Sequence, residues 1–366
     1  MAELPVGLIV SSAGFGLGIV FGITAQRTNF CTMGALSDAV FMEEWNRFRA
    51  WMLAVAVAVL GSQALHIAGV LNLSKSIYLT ANLGWAGAII GGLLFGFGMT
   101  MTGGCGNKTL VRLGAGNLKS LVVAVVLGIF AYMTLRGLIG LARVELEGAT
   151  NIDLGAHGMK TQGIPDLIAQ LAVPAGTAQI AVTAVVVLGL LWFCFKSEEF
   201  RQSKADVAAG LIIGALVPAA WYVTGVIGND EFEPVAMASF TFVAPVGESI
   251  QYLMTFTGSK INFGIAVVGG VIMGSFLSAK VKGEFKLESF TDANDMARHL
   301  FGASIMGIGG VMALGCTVGQ GITGMSTLAF GSVLALGSIM LGGVIGLKYI
   351  EEGSLGAAIG AVFSRS

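Results

Sequence analysis

The chain of 366 residues is 55% hydrophobic and only 11% charged, with a formal net charge of −1 and a mean hydropathy of +0.83. Soluble domains carry about 25% charged residues, so this composition excludes an ordinary soluble globule and places the chain in a lipid bilayer. No nucleic-acid partner is expected of it.

Nine apolar runs of roughly 15–21 residues follow one another, close to the ~20 that a bilayer requires. In order they are Leu8–Ala25, Trp51–Val70, Gly84–Met101, Leu121–Leu141, Gln179–Phe195, Gly210–Ile227, Ile261–Ala279, Phe301–Gly315 and Leu328–Leu347. The first has no Lys or Arg before it, carries Glu3 and lacks a small-x-small cleavage site, so it reads as a span rather than a signal peptide. Basic residues gather after alternate spans: Arg27, Arg47 and Arg49; Lys108, Arg112 and Lys119; Lys196, Arg201 and Lys204; Lys280, Lys282, Lys286 and Arg298. The positive-inside rule then puts the N-terminus outside and the C-terminus in the cytoplasm, which an odd number of spans satisfies.

Spans three and eight end alike. Gly96-Phe-Gly98-x-x-Met101-x-x-Gly104-Cys105 matches Gly307-Ile-Gly309-x-x-Met312-x-x-Gly315-Cys316, and each is followed by a short glycine-punctuated segment and another span. Span three runs inward and span eight outward, so the copies are inverted. The expected fold is an all-α polytopic membrane protein of about nine transmembrane helices with short broken or re-entrant helices, in two inverted repeats with pseudo-twofold symmetry. Residues 1–142 form the first repeat, 143–205 an external loop, the fifth span and a cytoplasmic loop, and 206–366 the second repeat. Inverted repeats with broken helices typify transport folds, and non-helical backbone at membrane depth is tolerated only inside protein or along a cavity. Most of the 55 glycines read as helix packing; Gly103, Gly104, Gly106 and Gly315, beside cysteines, are candidates for more.

Of the four cysteines, Cys194 lies among aromatics in "LLWFCFK" and reads as an apolar filler. Cys31 interrupts the chain after span one, and Cys105 and Cys316 stand at the matched breaks. No Cys-x-x-Cys or nearby His supports a metal site or a redox pair, and no cofactor is expected. Neutral thiols, glycine that permits close approach, and free N–H groups at a helix start together suit a soft, loosely held sulfur anion. Asn29, Asn107 and Gln320 could donate hydrogen bonds to its oxygens. Lys108 is either a topology charge or part of a positive exit with Arg112.

The segments "RTNFC", "GGCGNKTLVRLGAGNLKSL", "SFTFVAPVGE" and "MALGCTVGQGI" resemble the YeeE/YedE family of sulfur-transport membrane proteins. The resemblance implies an hourglass-shaped importer that carries thiosulfate across the bacterial inner membrane into the cytoplasm. It also implies a path lined by Cys31, Cys105 and Cys316, with Cys105 central, that passes the ion by S–H to sulfur hydrogen bonds. A small cytoplasmic sulfur carrier of the TusA type is the partner it suggests. Phe242 falls opposite Cys31 in the second half, so a fourth thiol is missing there. A transporter of selenium-containing or other sulfur compounds is the alternative. A copper channel would want carboxylates or clustered thioethers, and a membrane thiol oxidoreductase a paired dithiol. No Gly-x-x-x-x-Gly-Lys-Ser/Thr loop is present, so the chain itself is not expected to use ATP, and an enzyme is not expected.

Overall fold

The computed structural model describes residues 5–170, 174–231 and 233–363. The helices are, in order, α1 (Val6–Thr28), α2 (Thr32–Phe41), α3 (Asn46–Ile67), α4 (Trp85–Met101), α5 (Gly106–Gly114), α6 (Leu118–Arg136), α7 (Leu138–Thr150) and α8 (Ile164–Ala169). They continue with α9 (Ala175–Phe195), α10 (Glu198–Gln202), α11 (Lys204–Tyr222), α12 (Val243–Met254), α13 (Phe263–Val281), α14 (Ala293–Met312), α15 (Phe330–Glu352) and α16 (Leu355–Phe363). A π-helical stretch, Gly319–Gly324, lies between the last two long helices. The chain is all-α apart from a two-residue antiparallel ladder that pairs Asn82–Leu83 with Ile152–Asp153.

Among the described residues, 8 helices are long and apolar enough to cross a membrane. They coincide with all the expected spans except Phe301–Gly315. That run belongs to α14, whose 20 residues carry Asp295, Arg298 and His299 in the first two turns, and whose helix stops at Met312. Its apolar part is therefore shorter than the sequence suggested, and its charged start is held by ion pairs described below.

Long helices pack pairwise, α1 on α13, α3 on α11, α4 on α15 and α14, and α6 on α14 and α12. Glycine sets the distance. A Cβ on Gly22 of α1 would stand 2.3 Å from the carbonyl oxygen of Val271, and one on Gly274 of α13 2.2 Å from that of Ile19. At the α4–α15 contact, a Cβ on Gly96 would lie 2.1 Å from the Ile339 oxygen, and one on Gly342 2.3 Å from the Leu93 oxygen. In lipid the hydrophobic effect does not press helices together, and such backbone-to-backbone packing replaces it.

Helices α4 and α14 stop in the same way. Gly103 at φ 69° follows α4, with Gly103 N–H donating to Thr100 O at 3.2 Å and Gly104 N–H to Met99 O at 2.9 Å. Leu314 at φ 58° follows α14, with Leu314 N–H donating to Val311 O at 3.0 Å and Gly315 N–H to Gly310 O at 2.8 Å. Both are Schellman terminations, which satisfy the last carbonyls and turn the chain through one left-handed residue.

The long segment between α7 and α9 is docked rather than loose. Gln162 N–H donates to Thr80 O at 3.2 Å, Phe330 N–H to Gln162 O at 3.0 Å, and Ile164 N–H to Leu328 O at 2.9 Å. The segment thus lies across the start of α15, with the Gln162 side chain 4% exposed.

Candidate functional site: three thiols above a basic vestibule

Each of the three singled-out cysteines stands immediately before a short helix. Cys31 caps α2, its Sγ accepting from Gly34 N–H at 3.5 Å. Cys105 is the N-cap of α5. Cys316 precedes the turn that runs into the π-helix, and its Sγ accepts from Gly319 N–H at 3.3 Å. Phe242 occupies the same position before α12, buried in ring contact with Phe21 at 5.2 Å between centroids.

Cys105 is fully buried. Its thiol donates to Asn107 Oδ1 and accepts from the Thr317 hydroxyl at 3.2 Å. Thr317 comes from the distant break, so that contact joins the two Gly-Cys motifs at one sulfur. Cys31 and Cys316 both lie within electrostatic reach of Cys105. Cys194 is elsewhere, packed with Ala50, Leu53 and Phe200 and donating to Arg49 O at 3.3 Å.

The other candidates take varied places. Asn29, at φ 51°, accepts from Lys108 Nζ on Oδ1 at 3.1 Å and from Arg47 on its carbonyl at 3.3 Å. Asn107 serves the Cys105 thiol. Gln320 turns its amide nitrogen to Ala313 O at the end of α14, while its Oε1 is buried without a partner among the described residues. One of the two N–H donors of the Gln320 amide is thus already engaged. A Cβ on Gly104 would meet the Lys108 side chain at 3.1 Å, and one on Gly315 the backbone nitrogen of Gln320 at 3.0 Å. Gly106 has ordinary room, with Phe242 at 3.6 Å.

A cavity of about 760 Å³ opens on the face that carries the basic loops, and Cys31, Lys108 and Arg112 line it. A separate, small cavity of about 40 Å³ is lined by Tyr78, Gln162, Gln320 and Ser332. The wide cavity's lining is net basic, and its carboxylates are engaged. Asp38 pairs with Arg47 at 2.7 Å, and Asp295 with Lys119 at 3.0 Å and Arg298 at 2.7 Å. The hydrogen bond from Lys119, with a second from Arg298, holds the Asp295 carboxyl below the usual carboxylate range. Glu288 accepts from Asn117 at 2.8 Å, and Glu284 lies 3.8 Å from Lys282.

Thr317 and the Arg47–Asp38 pair escaped the sequence reading. Thr317 had one signal, its place directly after Cys316. The pairing of Asp38 had no signal in the sequence, and only the fold shows it gripping Arg47.

A multi-helix membrane chain with thiols at paired helix breaks, opening into a basic vestibule, has the form of an anion transporter. The sequence matches the sulphur-transport family over residues 27–345, and the chain belongs to that family. It is 26% identical over 332 residues to the thiosulfate transporter TsuA of Escherichia coli K12, covering 85% of this chain and 86% of that one. It is likewise 26% identical over 316 residues to the thiosulfate transporter TsuA of Spirochaeta thermophila, covering 85% and 90%. A shorter match, 34% over 100 residues, links 27% of the chain to 22% of the probable transporter YedE of Salmonella typhimurium.

Proposed function

We propose that this protein carries thiosulfate through the bacterial inner membrane into the cytoplasm, handing it from Cys316 to Cys105 to Cys31 and releasing it into the vestibule. The carrying observation is Cys105, buried and bonded at once to Asn107 and Thr317. The S–H rests on a neutral carbonyl oxygen, which an arriving anion can replace as the better acceptor. A neutral thiol binds such an ion without a fixed charge to trap it. The names of the two full-length relatives support thiosulfate as the substrate. In this reading the path lies between two inverted repeats, residues 1–142 and 206–366. The mirrored helix pairs, α1–α13 with α3–α11 and α4–α15 with α6–α14, support that division. A sulfur carrier of the TusA type would take the ion at the vestibule mouth.

The function is tested in a bacterium that lacks thiosulfate uptake and is supplied with thiosulfate as its only sulfur source. Expression of this chain should restore growth and labelled thiosulfate uptake, and continued failure at good membrane abundance would reject the assignment.

With α14 counted as the ninth crossing, the basic loops place the N-terminus outside and the vestibule in the cytoplasm. A thiol introduced into an otherwise Cys-less chain at Lys160 should react with an impermeant reagent in intact cells, and one at Lys204 should not. The opposite labelling pattern would invert the topology and turn import into export.

A further inference from the structure

The bookkeeping of charges in the vestibule leaves a remainder at its floor. The carboxylates of the wall are engaged by neighbouring side chains, whereas Lys108 and Arg112 have no carboxylate in ion-pair range among the described residues. Lys108 is only 7% exposed and gives one of its three donors to the neutral Asn29. The Arg112 guanidinium lies over the backbone next to Cys105, its Nη1 3.5 Å from where a Cβ on Gly103 would stand and 3.6 Å from one on Gly104. Arg112 and Arg47 are both within electrostatic reach of Lys108. Burying an ammonium beside a guanidinium is costly unless an anion visits. A planar fork next to a point charge matches the oxygens of a tetrahedral oxyanion.

We propose that Lys108 and Arg112 form an oxyanion site at the vestibule floor that binds divalent tetrahedral anions whether or not they carry a soft sulfur. Sulfate on that side then occupies the site from which thiosulfate must leave, and slows uptake. The proposal rests on the thiosulfate reading for its effect on transport, but the site itself depends only on charge. Selection for softness belongs to the thiols, and the vestibule adds a brake set by the oxyanion level on its own side.

Sulfate binding to the purified full-length protein is measured by calorimetry, at constant ionic strength because exposed charges are screened. Wild type should bind sulfate, Arg112→Gln should bind it at least about tenfold more weakly, and Arg112→Lys should fall between them. Cys105→Ala should bind it as wild type does. In vesicles, thiosulfate uptake with sulfate on the vestibule side is divided by uptake with gluconate there. That ratio should lie below one in wild type and return to one in Arg112→Gln, whatever the variant's absolute rate. Absence of sulfate binding in wild type, or equal binding by Arg112→Gln, overturns the site. Loss of sulfate binding in Cys105→Ala also overturns it, because the anion would then sit among the thiols. If Cys105→Ala transports normally while Arg112→Gln alone loses sulfate binding, the thiol path fails and the vestibule site stands.

Discussion

Cys105→Ala is expected to abolish growth on limiting thiosulfate while the protein still reaches the membrane. The alanine methyl fits a fully buried site, so the fold should survive. What disappears is the soft partner that also receives the Thr317 hydroxyl. Removing one hydrogen bond to a charged group costs roughly 1.5–3 kcal/mol, or about 10- to 150-fold in rate if the thiol binds the ion at the barrier. Cys105→Ser should be strongly impaired too, because its hydroxyl binds Asn107 and Thr317 more tightly and yields less readily to the ion. Uptake is normalised to protein in the membrane, with Cys194→Ala as the control, since that sulfur packs against Phe200 and should leave transport near wild type. Near-normal uptake by Cys105→Ala would return Cys105 to a packing role.

The largest structural effect is expected at Gly96. Every atom that an added Cβ would strike is backbone, with the Ile339 oxygen at 2.1 Å and the Gly343 nitrogen at 2.6 Å. A flexible side chain could move aside, but two helix backbones can only separate. Overpacking costs about 1–3 kcal/mol and more where nothing can yield. Gly96→Val should therefore lower both membrane abundance and thermal stability sharply. Gly337→Val, on the same α15 that Gly96 touches, has nothing within 4 Å of the new Cβ and should be tolerated. Equal melting of the two variants in detergent would show that the α4–α15 contact can open to admit a side chain.

The spans and the breaks were legible because they are local. Length and apolarity mark helices such as α1 and α9, and a Gly-Gly-Cys after an apolar run marks a stop. The start of α14 was not legible. Asp295, Arg298 and His299 look like a loop, and become helical beside a partner, Lys119, that the chain supplied 176 residues earlier. The Thr317–Cys105 contact spans 212 residues, so no window of sequence could contain it. The partner of Gln320 was not legible for a different reason: an amide looks equally available in sequence whether it faces an ion or bonds its own helix end, as one donor of this one does at Ala313. The thiols stand out in sequence because cysteine is scarce in this chain, with 4 in 366 residues, and three of them directly precede a short helix or turn.

Leu314 holds at φ 58° the same left-handed place that Gly103 holds at 69°. A branched side chain pays about 1–2 kcal/mol there, and glycine does not. The second stop therefore keeps its shape against the preference of its own residue, with the hydrogen bonds to Gly310 and Val311 doing the holding. What the two breaks share is a winding instruction, written once in a permissive letter and once in a resistant one. A comparison that scores letters will undervalue the second break, whereas one that scores dihedral angles will see two copies of a single joint.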